Sequence, residues 1–273
     1  MFYSVCLDQG HGWFDPQIKR KIVFKNIRRQ KPIYEVEYET FSGSNGSREV
    51  NSAYRPFMLM FEIDIFFDNE HERELMDIEL SKLFFINKPY YIRYDLAPGL
   101  RFLVNPVELD VIETDSSYQT YSIGLNVFRG YAESIASSLE DFSLESTWQF
   151  SQGLASENYS YTHDTSRFII FNAGDFTVDP REHDLRIKVE GESDGQLNIF
   201  NRTTGERFIY HPEFSTRRGD WIELDGVYPK RNGVNRGIDT NHALIRLVPG
   251  INDIELQNIS RVRSEWDFRF LYK

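Results

Sequence analysis

Leu244-Ile-Arg-Leu-Val-Pro-Gly-Ile-Asn-Asp-Ile-Glu-Leu-Gln-Asn258 alternates apolar and polar residues on both sides of a Pro-Gly pair. Proline presets the dihedral angle needed at the second position of a β-turn, and glycine accepts the positive φ that a type II turn needs next. The pattern therefore predicts two strands joined by a turn at Pro249-Gly250. Trp266, Phe268 and Phe270 follow at period two and predict a third, buried strand that ties the last residues into a sheet.

The composition extends the β prediction to the whole chain. Of 273 residues, 40% are hydrophobic and 15% aromatic, which supplies a large core and argues against disorder. Phe (22) and Tyr (15) far outnumber Met (4), a bias that favours strands over helical bundles. We therefore expect a mainly β protein, long enough for one large domain or two ordinary ones.

Charge and cysteine content exclude several classes of protein. The net charge of −11 argues against a protein that holds nucleic-acid phosphates or an anionic membrane, because both need a basic face. Cys6 is the sole cysteine, so neither an intrachain disulfide nor a CxxC zinc site can form. The first residues lack a signal-peptide pattern, and no segment approaches the ~18 apolar residues of a membrane span. We expect synthesis in the cytoplasm and no membrane insertion.

Strand patterns dominate the first half. Residues 17–41 predict two strands around a turn at Gln30-Lys-Pro32, and the Gly/Ser-rich residues 42–47 predict a loop or hairpin tip. Phe57–Phe67 is nearly all apolar and predicts a strand with both faces mostly covered. Glu62 and Asp64 interrupt that strand, so one of its faces is expected to meet solvent or a partner chain.

One helix is predicted after this long strand. Asn69 is a suitable N-cap residue, and Glu72 stands three residues later in the capping-box position. Apolar residues then recur at helical spacing, and Pro89 is expected to end the helix. A single amphipathic helix among strands would pack across one sheet face.

The domain boundary is predicted in the small, polar run Gly130–Ser138. Alternating segments fill Tyr90–Phe128, and the second half restarts at Trp148-Gln-Phe150 with a polar stretch to Ser166. Turn signals then recur about every ten residues, the spacing of a β-sandwich. The prediction is an N-terminal domain over 1–134 and a C-terminal sandwich over 135–273.

Residue patterns for catalysis or metal binding are weak. Glu190-Gly-Glu-Ser-Asp-Gly195 partly matches a calcium loop but lacks the bidentate Glu at its twelfth position, so a hairpin turn explains it better. The pairs His163-Asp164 and His183-Asp184 are sequence neighbours, which point to opposite faces of a strand. We predict no catalytic, cofactor or metal site, and hence no enzyme.

Aromatic residues of the second half leave a different site open. Five aromatic residues could form a platform on which a saccharide stacks, as in lectin-like sandwiches: Trp148, Tyr159, Tyr161, Trp221 and Tyr228. Tyr159, Tyr161 and Trp221 are the candidate contact residues. Trp221 is expected in the core by default, whereas Tyr159 and Tyr161 lie in a polar stretch and are expected to be exposed.

Five segments of the second half carry a family resemblance in their order and spacing. They are Phe168-Ile-Ile-Phe-Asn-Ala-Gly-Asp175, Asn201-Arg-Thr-Thr-Gly-Glu206, Gly219-Asp-Trp-Ile-Glu-Leu224, Leu247-Val-Pro-Gly-Ile-Asn252 and Trp266-Asp-Phe-Arg-Phe-Leu-Tyr272. Arg55-Pro-Phe-Met58 and Phe128-Arg-Gly-Tyr-Ala-Glu-Ser134 fit in the first half. The chain resembles the distal tail proteins of siphophages over nearly its whole length. The Phe41–Arg48 loop departs from the family's Gly-Arg-Asp-Gly turn.

The resemblance implies a structural role in the virion. It predicts a β-rich N-terminal domain that forms a homo-hexameric ring, and a galectin-like or carbohydrate-module-like C-terminal sandwich. The ring would join the tail tube protein to the tail-associated tip protein and to receptor-binding proteins, with a lumen that DNA crosses without specific binding. A lectin-like module that binds host saccharide is the alternative.

Overall fold

The computed structural model describes residues 3–17, 21–140 and 159–273. The chain divides into two compact units, Met1–Ala132 with Lys273, and Glu133–Tyr272. Antiparallel strands dominate both units, so the predicted mainly β fold class is confirmed. In the described residues α1 (Glu70–Phe84) is the one α-helix.

The first unit is built on one curved sheet. Its order is β2-β1-β7-β8-β9-β6-β3, and the Tyr3 N–H donates to the Phe24 carbonyl at 3.2 Å, which links the start of β1 back to β3. The sheet therefore curves towards a barrel. The strands of this unit are β1 (Val5–Asp8), β2 (Trp13–Phe14), β3 (Ile22–Arg29), β4 (Tyr34–Glu39), β5 (Arg48–Tyr54), β6 (Phe57–Phe66), β7 (Tyr90–Tyr94), β8 (Leu100–Thr114) and β9 (Tyr118–Val127).

Period-two alternation directs the core of this unit. Every second residue of β6, from Phe57 to Ile65, is buried, and these residues pair with the buried set of β9. Helix α1 contributes Leu80, Leu83 and Phe84 to the core, and the Phe84 ring meets Phe24 edge-on at 6.3 Å.

The helix begins where the sequence predicts and ends earlier. The Asn69 Oδ1 accepts the Glu72 backbone N–H at 2.9 Å, as an N-cap should. The Glu72 carboxylate accepts the Asp68 N–H at 2.7 Å, one residue before the capping-box position. Phe85 already leaves helical geometry (ψ 68°), so Pro89 lies beyond the end of the helix and does not cause it.

Both strands predicted within residues 17–41 are present, but they do not pair with each other. β3 pairs with β6, whereas β4 pairs with β5 to form a separate two-stranded ribbon. The predicted Gly/Ser-rich loop lies at the tip of this ribbon. Long-range partners decided the pairing, because β6 offers β3 a buried apolar face that β4 lacks.

β8 is one continuous 15-residue strand. Pro106 lies within it, next to an irregularity in the pairing with β9 between Pro106 and Glu108. Proline lacks an N–H and is tolerated in strands at edges and bulges. β8 meets both conditions here.

The second unit is a sandwich of two sheets. The larger has the order β11-β21-β13-β17-β18-β19 with β16 beside β13, and the smaller has the order β12-β20-β14-β15. The strands of these two sheets are β11 (Thr162–His163), β12 (Arg167–Asn172), β13 (Leu185–Ser193), β14 (Leu197–Asn201), β15 (Glu206–Tyr210), β16 (Phe214–Ser215), β17 (Ile222–Asp225), β18 (Tyr228–Arg231), β19 (Val234–Asn235), β20 (Gly250–Gln257) and β21 (Ser260–Phe268). Two short strands outside them, β10 (Ala132–Ser134) and β22 (Leu271–Tyr272), pair with each other. Short 3₁₀ turns occupy Thr216–Arg218 and Gly237–Asp239.

Aromatic contacts join the two sheets of the sandwich. The Phe168 ring from the smaller sheet meets Trp266 from the larger one at 5.9 Å. Trp266, Phe268 and Phe270 are all buried, as predicted for the third closing strand. The Ser193-Asp-Gly195 turn connects β13 to β14 in different sheets, so it is not the hairpin turn that the sequence suggested.

The predicted hairpin around Pro249-Gly250 is wrong on one side. Ile251–Leu256 lies in β20, but 244–248 forms no strand and contributes one isolated bridge, Leu247 with Val178. Its backbone is held instead by buried asparagine side chains. The Asn172 and Asn201 amides donate to the carbonyls of Leu247 and Arg246 at 3.0 and 2.8 Å.

Asn252 completes this arrangement. Its Oδ1 accepts the Val248 N–H at 3.0 Å, and its Nδ2 donates to the Val248 carbonyl at 2.8 Å. The Asn201 Nδ2 also donates to the Asn252 Oδ1 at 3.2 Å. Side-chain amides thus supply the hydrogen bonds that a neighbouring strand would supply. They satisfy backbone groups of residues 244–248, which have an alternating sequence but no partner strand.

Candidate assembly and binding surfaces

β8 presents an open strand edge in the first unit. β7 pairs with β8 at Phe102–Val104, and β9 pairs with it over Asn105–Thr114. Besides β7 and β9, β10 (Ala132–Ser134) also pairs with β8, and no other described strand does. Exposed apolar side chains (Val107, Val111 and Ile112) and acidic ones (Glu108, Asp110 and Glu113) follow this edge. Unpaired backbone groups on such an edge can pair with another chain.

β3 presents the second open edge, at the opposite end of the order β8-β9-β6-β3. Beyond Phe24, the described part of the unit places β6 on one side of β3 and no strand on the other. Arg28 and Arg29 lie on this stretch, and Asn26 has a φ of 50° where the pairing with β6 shifts. The two open edges therefore carry opposite charge.

One face of the strands β3, β6, β9 and β8 is acidic. Glu62 and Asp64 of β6 lie across from Ser122 and Thr120 of β9, which lie across from Asp110 and Glu113 of β8. Directly opposite residues share a face, so these carboxylates line one surface together with Glu108. Lys25 lies among them, with its Nζ 2.8 Å from the Asp64 carboxylate. Thr120 donates to the same oxygen at 2.5 Å.

The β4–β5 ribbon has no buried residue. Ile33, Tyr34, Tyr38, Phe41 and Val50 on or beside it are all exposed. An isolated two-stranded ribbon is marginally stable in water, and clustered exposed apolar groups mark contact surfaces. The ribbon therefore has the character of an arm that another chain covers.

A depression lies on the outer face of the smaller sheet in the second unit, with a volume of about 710 Å³. The Tyr159 ring stacks on Phe171 at 4.1 Å and 15°. The His163 ring stacks on Phe168 at 4.1 Å, and burial lowers the pKa of His163 from its ordinary value. Arg167 also lines the depression and is paired with Asp253 through two hydrogen bonds of 3.2 and 2.8 Å.

The structure separates the residues suggested for saccharide contact. Tyr159 lines the depression. Tyr161 is 3% exposed and packs edge-on against Phe268 and Phe270, so the expected exposure of Tyr161 is wrong. Its hydroxyl donates to the Phe171 carbonyl at 2.7 Å, which satisfies the polar group of the buried side chain. Trp221 is half-buried on the larger sheet, with the Lys188 Nζ 5.8 Å from its ring centre.

The remaining candidate residues for metal binding or acid–base chemistry do not form such a site in the described part of the chain. Among the described residues no group of three or more His, Cys, Asp and Glu is placed to hold a metal ion. The His183 Nδ1 accepts the Asp179 backbone N–H at 3.0 Å. No helix in the described ranges has the length and apolar character needed to cross a membrane.

A buried carboxylate anchors the β18–β19 hairpin. Asn232 and Gly233 both have positive φ, which suits the tight turn between these strands. The Asp220 carboxylate accepts Arg231 Nη2 at 2.9 Å, Asn232 Nδ2 at 3.0 Å and the Ser215 N–H at 3.2 Å. The Arg231 guanidinium, and then the Asn232 amide, lower the pKa of Asp220 to about 2.

A known protein family matches most of the first unit. Residues 15–127 match the family model described as the phage tail protein RIFT-related domain. These residues are thus similar to a phage tail protein RIFT-related domain, and we refer to them as the RIFT-related domain. This RIFT-related domain contains β3 to β9 and α1, and hence both open edges and the acidic face.

The whole chain is similar in fold to a solved distal tail protein. SPP1 Dit (gp 19.1), titled a paradigm of the hub adsorption apparatus in Gram-positive infecting phages, aligns with a TM-score of 0.69 and 11% identity, over 98% of this chain and 99% of that one. The predicted resemblance to siphophage distal tail proteins is thereby confirmed. A chain of the phage p2 baseplate in its activated conformation with Sr aligns with a TM-score of 0.43 and 11% identity, over 97% of both chains. No curated protein matches the sequence.

Proposed function

We propose that this protein is a distal tail hub protein of a siphophage, acting in the virion as a structural component and not as an enzyme. The RIFT-related domain supports a place in a phage tail. The observation that carries the assembly proposal is the pair of open strand edges with opposite charge, on β8 and β3.

The two edges fit a ring. They lie at opposite edges of the four-strand order β8-β9-β6-β3. An interface between β8 of one copy and β3 of the next is therefore head-to-tail. Head-to-tail interfaces repeat, and they close into a ring when the rotation permits. Glu108 and Asp110 of one copy would lie on the same face as Arg28 of its neighbour, while backbone pairing removes both open edges. The number of copies, six, follows from the family resemblance.

The exposed β4–β5 ribbon supports the same assembly. Its apolar side chains, Tyr38 and Val50 among them, need a covering surface, and a neighbouring copy or a ring of the tail tube protein supplies one. On the acidic face, the carboxylates from Glu62 to Glu113 would repel phosphates. We assign this face to the lumen of the ring, where DNA passes without binding.

The second unit completes the hub. In this proposal residues 1–134 form the ring and residues 135–273 form a galectin-like sandwich on its periphery. The ring lies between the tail tube protein and the tail-associated tip protein, and the periphery holds receptor-binding proteins. The protein is made in the host cytoplasm and does not insert into a membrane.

Charge reversal tests the ring. The variant Arg28→Glu/Arg29→Glu makes both edges acidic, and Glu108→Lys/Asp110→Lys makes both basic. We expect each variant alone to associate more than about 100-fold more weakly than the wild type, because like charges face each other. A mixture of the two variants restores alternating contacts, which close in a ring with an even number of copies.

Mass photometry and negative-stain imaging read out the result. The matched control is Arg217→Glu/Arg218→Glu, an exposed arginine pair in the second unit. Wild-type assembly of either edge variant alone would refute the edge interface. A wild-type protein that stays monomeric even with the tube and tip proteins would refute the ring.

A further inference from the structure

The depression on the smaller sheet of the second unit has the dimensions of a ligand site. Its volume of about 710 Å³ falls within the range typical of small-molecule sites, about 300–1,000 Å³. It lies on the outer face of the sheet, in the second unit, whereas the hub proposal depends on the edges of the RIFT-related domain. Nothing in that proposal uses it.

The walls of the depression are flat and apolar. Tyr159 is held parallel to Phe171, and His163 parallel to Phe168, so both rings are oriented before any ligand arrives. Ile169 and Ile251 also line the depression and are 47% and 54% exposed, although branched apolar residues are usually buried. A rigid apolar surface of this kind loses little conformational entropy on binding.

The polar part of the depression contains charged groups of both signs, so its net charge is close to zero. Arg167 uses two of its five N–H donors on the Asp253 carboxylate and is 60% exposed. Arg202 Nε lies 3.4 Å from the same carboxylate, and Arg202 Nη1 lies 2.8 Å from the Glu255 carboxylate, so two arginines face two carboxylates. Charge is thus balanced locally, which does not favour a strongly anionic ligand, while donors and acceptors stand side by side at fixed positions.

We propose that this depression binds a pyranose ring of an oligosaccharide. One face of a pyranose carries C–H groups of slight positive character, which the negative face of the Tyr159 ring attracts. The opposite edge carries paired hydroxyl groups that both donate and accept, and the Arg167–Asp253 pair offers both functions. Ile169 and Ile251 exclude water beside the ring. The chemistry assigns a neutral or amino sugar as ligand, with Tyr159 and Arg167 as the contact residues.

A glycan array with the full-length protein tests the assignment, followed by calorimetric titration of the best arrayed ligand. Removing the ring in Tyr159→Ala should weaken binding about 10-fold, and Arg167→Ala about 10-fold or more, whereas Tyr159→Phe should retain it. Tyr228→Ala removes an exposed tyrosine outside the depression and serves as the matched control. Arg167→Ala removes an exposed side chain, so it separates lost binding from any loss of folding in Tyr159→Ala.

The outcomes distinguish this site from the hub. Mass photometry of the same variants should show unchanged assembly, and the edge variants should still bind the glycan. If no arrayed glycan binds, if only a protein partner does, or if both depression variants bind like the wild type, the assignment is overturned. Failure of ring assembly alone would leave it standing.

Discussion

Replacing Asn252 with alanine tests the asparagine network that holds residues 244–248. The substitution removes the partner of the Val248 N–H and the donor to the Val248 carbonyl, with distances of 3.0 and 2.8 Å. Asn252 is fully buried, so water does not readily replace these bonds. A buried polar group left unpaired costs about 1–3 kcal/mol, and two such groups predict a loss of about 3–4 kcal/mol.

Native-state hydrogen exchange of the full-length chain measures this loss where it occurs, at the Val248 amide. Asn252→Asp keeps the size of the side chain but places a buried carboxylate oxygen against the Val248 carbonyl, and it should be at least as destabilising. Asn235→Ala is the control, because its exposed side chain makes one hydrogen bond to the Gly237 N–H and should cost about 0.5 kcal/mol. A loss below about 1 kcal/mol in Asn252→Ala, with unchanged exchange at Val248, would refute the reasoning.

Two further predictions concern the same unit. The pKa of Asp220 is lowered to about 2 in the folded state. Its contribution to folding stability is therefore fully present above the pKa of the unfolded state and is lost as pH falls towards 2. Asp220→Asn should remove about 2 kcal/mol of the free energy of unfolding that depends on acid pH. Denaturant unfolding at a series of pH values measures this, and a pH dependence equal to that of the wild type would contradict the prediction. A Cβ on Gly174 would lie 2.7 Å from the backbone N and O of Leu271, so Gly174→Ala should destabilise by about 3 kcal/mol. Gly237→Ala meets only contacts of 3.6 Å or more, and equal melting temperatures for the two variants would count against the clash.

Local patterns predicted the elements better than their partners. The Asn69 cap and the alternation in β6 and β20 depend on neighbours within a few residues, and both are present. Partner choice depends on surfaces that form only as the chain folds, so the sequence did not show that β3 pairs with β6 and β4 with β5. The segment 244–248 alternates like a strand, but its partners are amides from Asn172, Asn201 and Asn252, far apart in the sequence.

The candidate surfaces were predictable to different degrees. Glu62 and Asp64 interrupt an apolar strand, and the structure leaves Glu62 half-buried but buries Asp64 beside Lys25 and Thr120. The opposite charge of the two edges needed the strand order, which no local pattern contains. Tyr161 was misjudged because its neighbours are polar, although its ring is buried and its hydroxyl donates to the Phe171 carbonyl. The predicted restart at Trp148-Gln-Phe150 lies outside the described residues.

The two ends of the second unit are hydrogen-bonded to each other, with a consequence for biosynthesis. The Ser138 hydroxyl donates to the Trp266 carbonyl at 2.7 Å, and the Ser134 N–H donates to the Phe270 carbonyl at 2.8 Å, across sequence separations of 128 and 136 residues. At about 5–20 residues per second, translation takes on the order of 10 seconds to make the distant partner. Until then Ser134 and Ser138 lack their strand, so the unit cannot complete its fold while its first half leaves the ribosome. The RIFT-related domain has no such delay, and subunits nearing the end of synthesis would hold a folded first domain beside an unfinished second one.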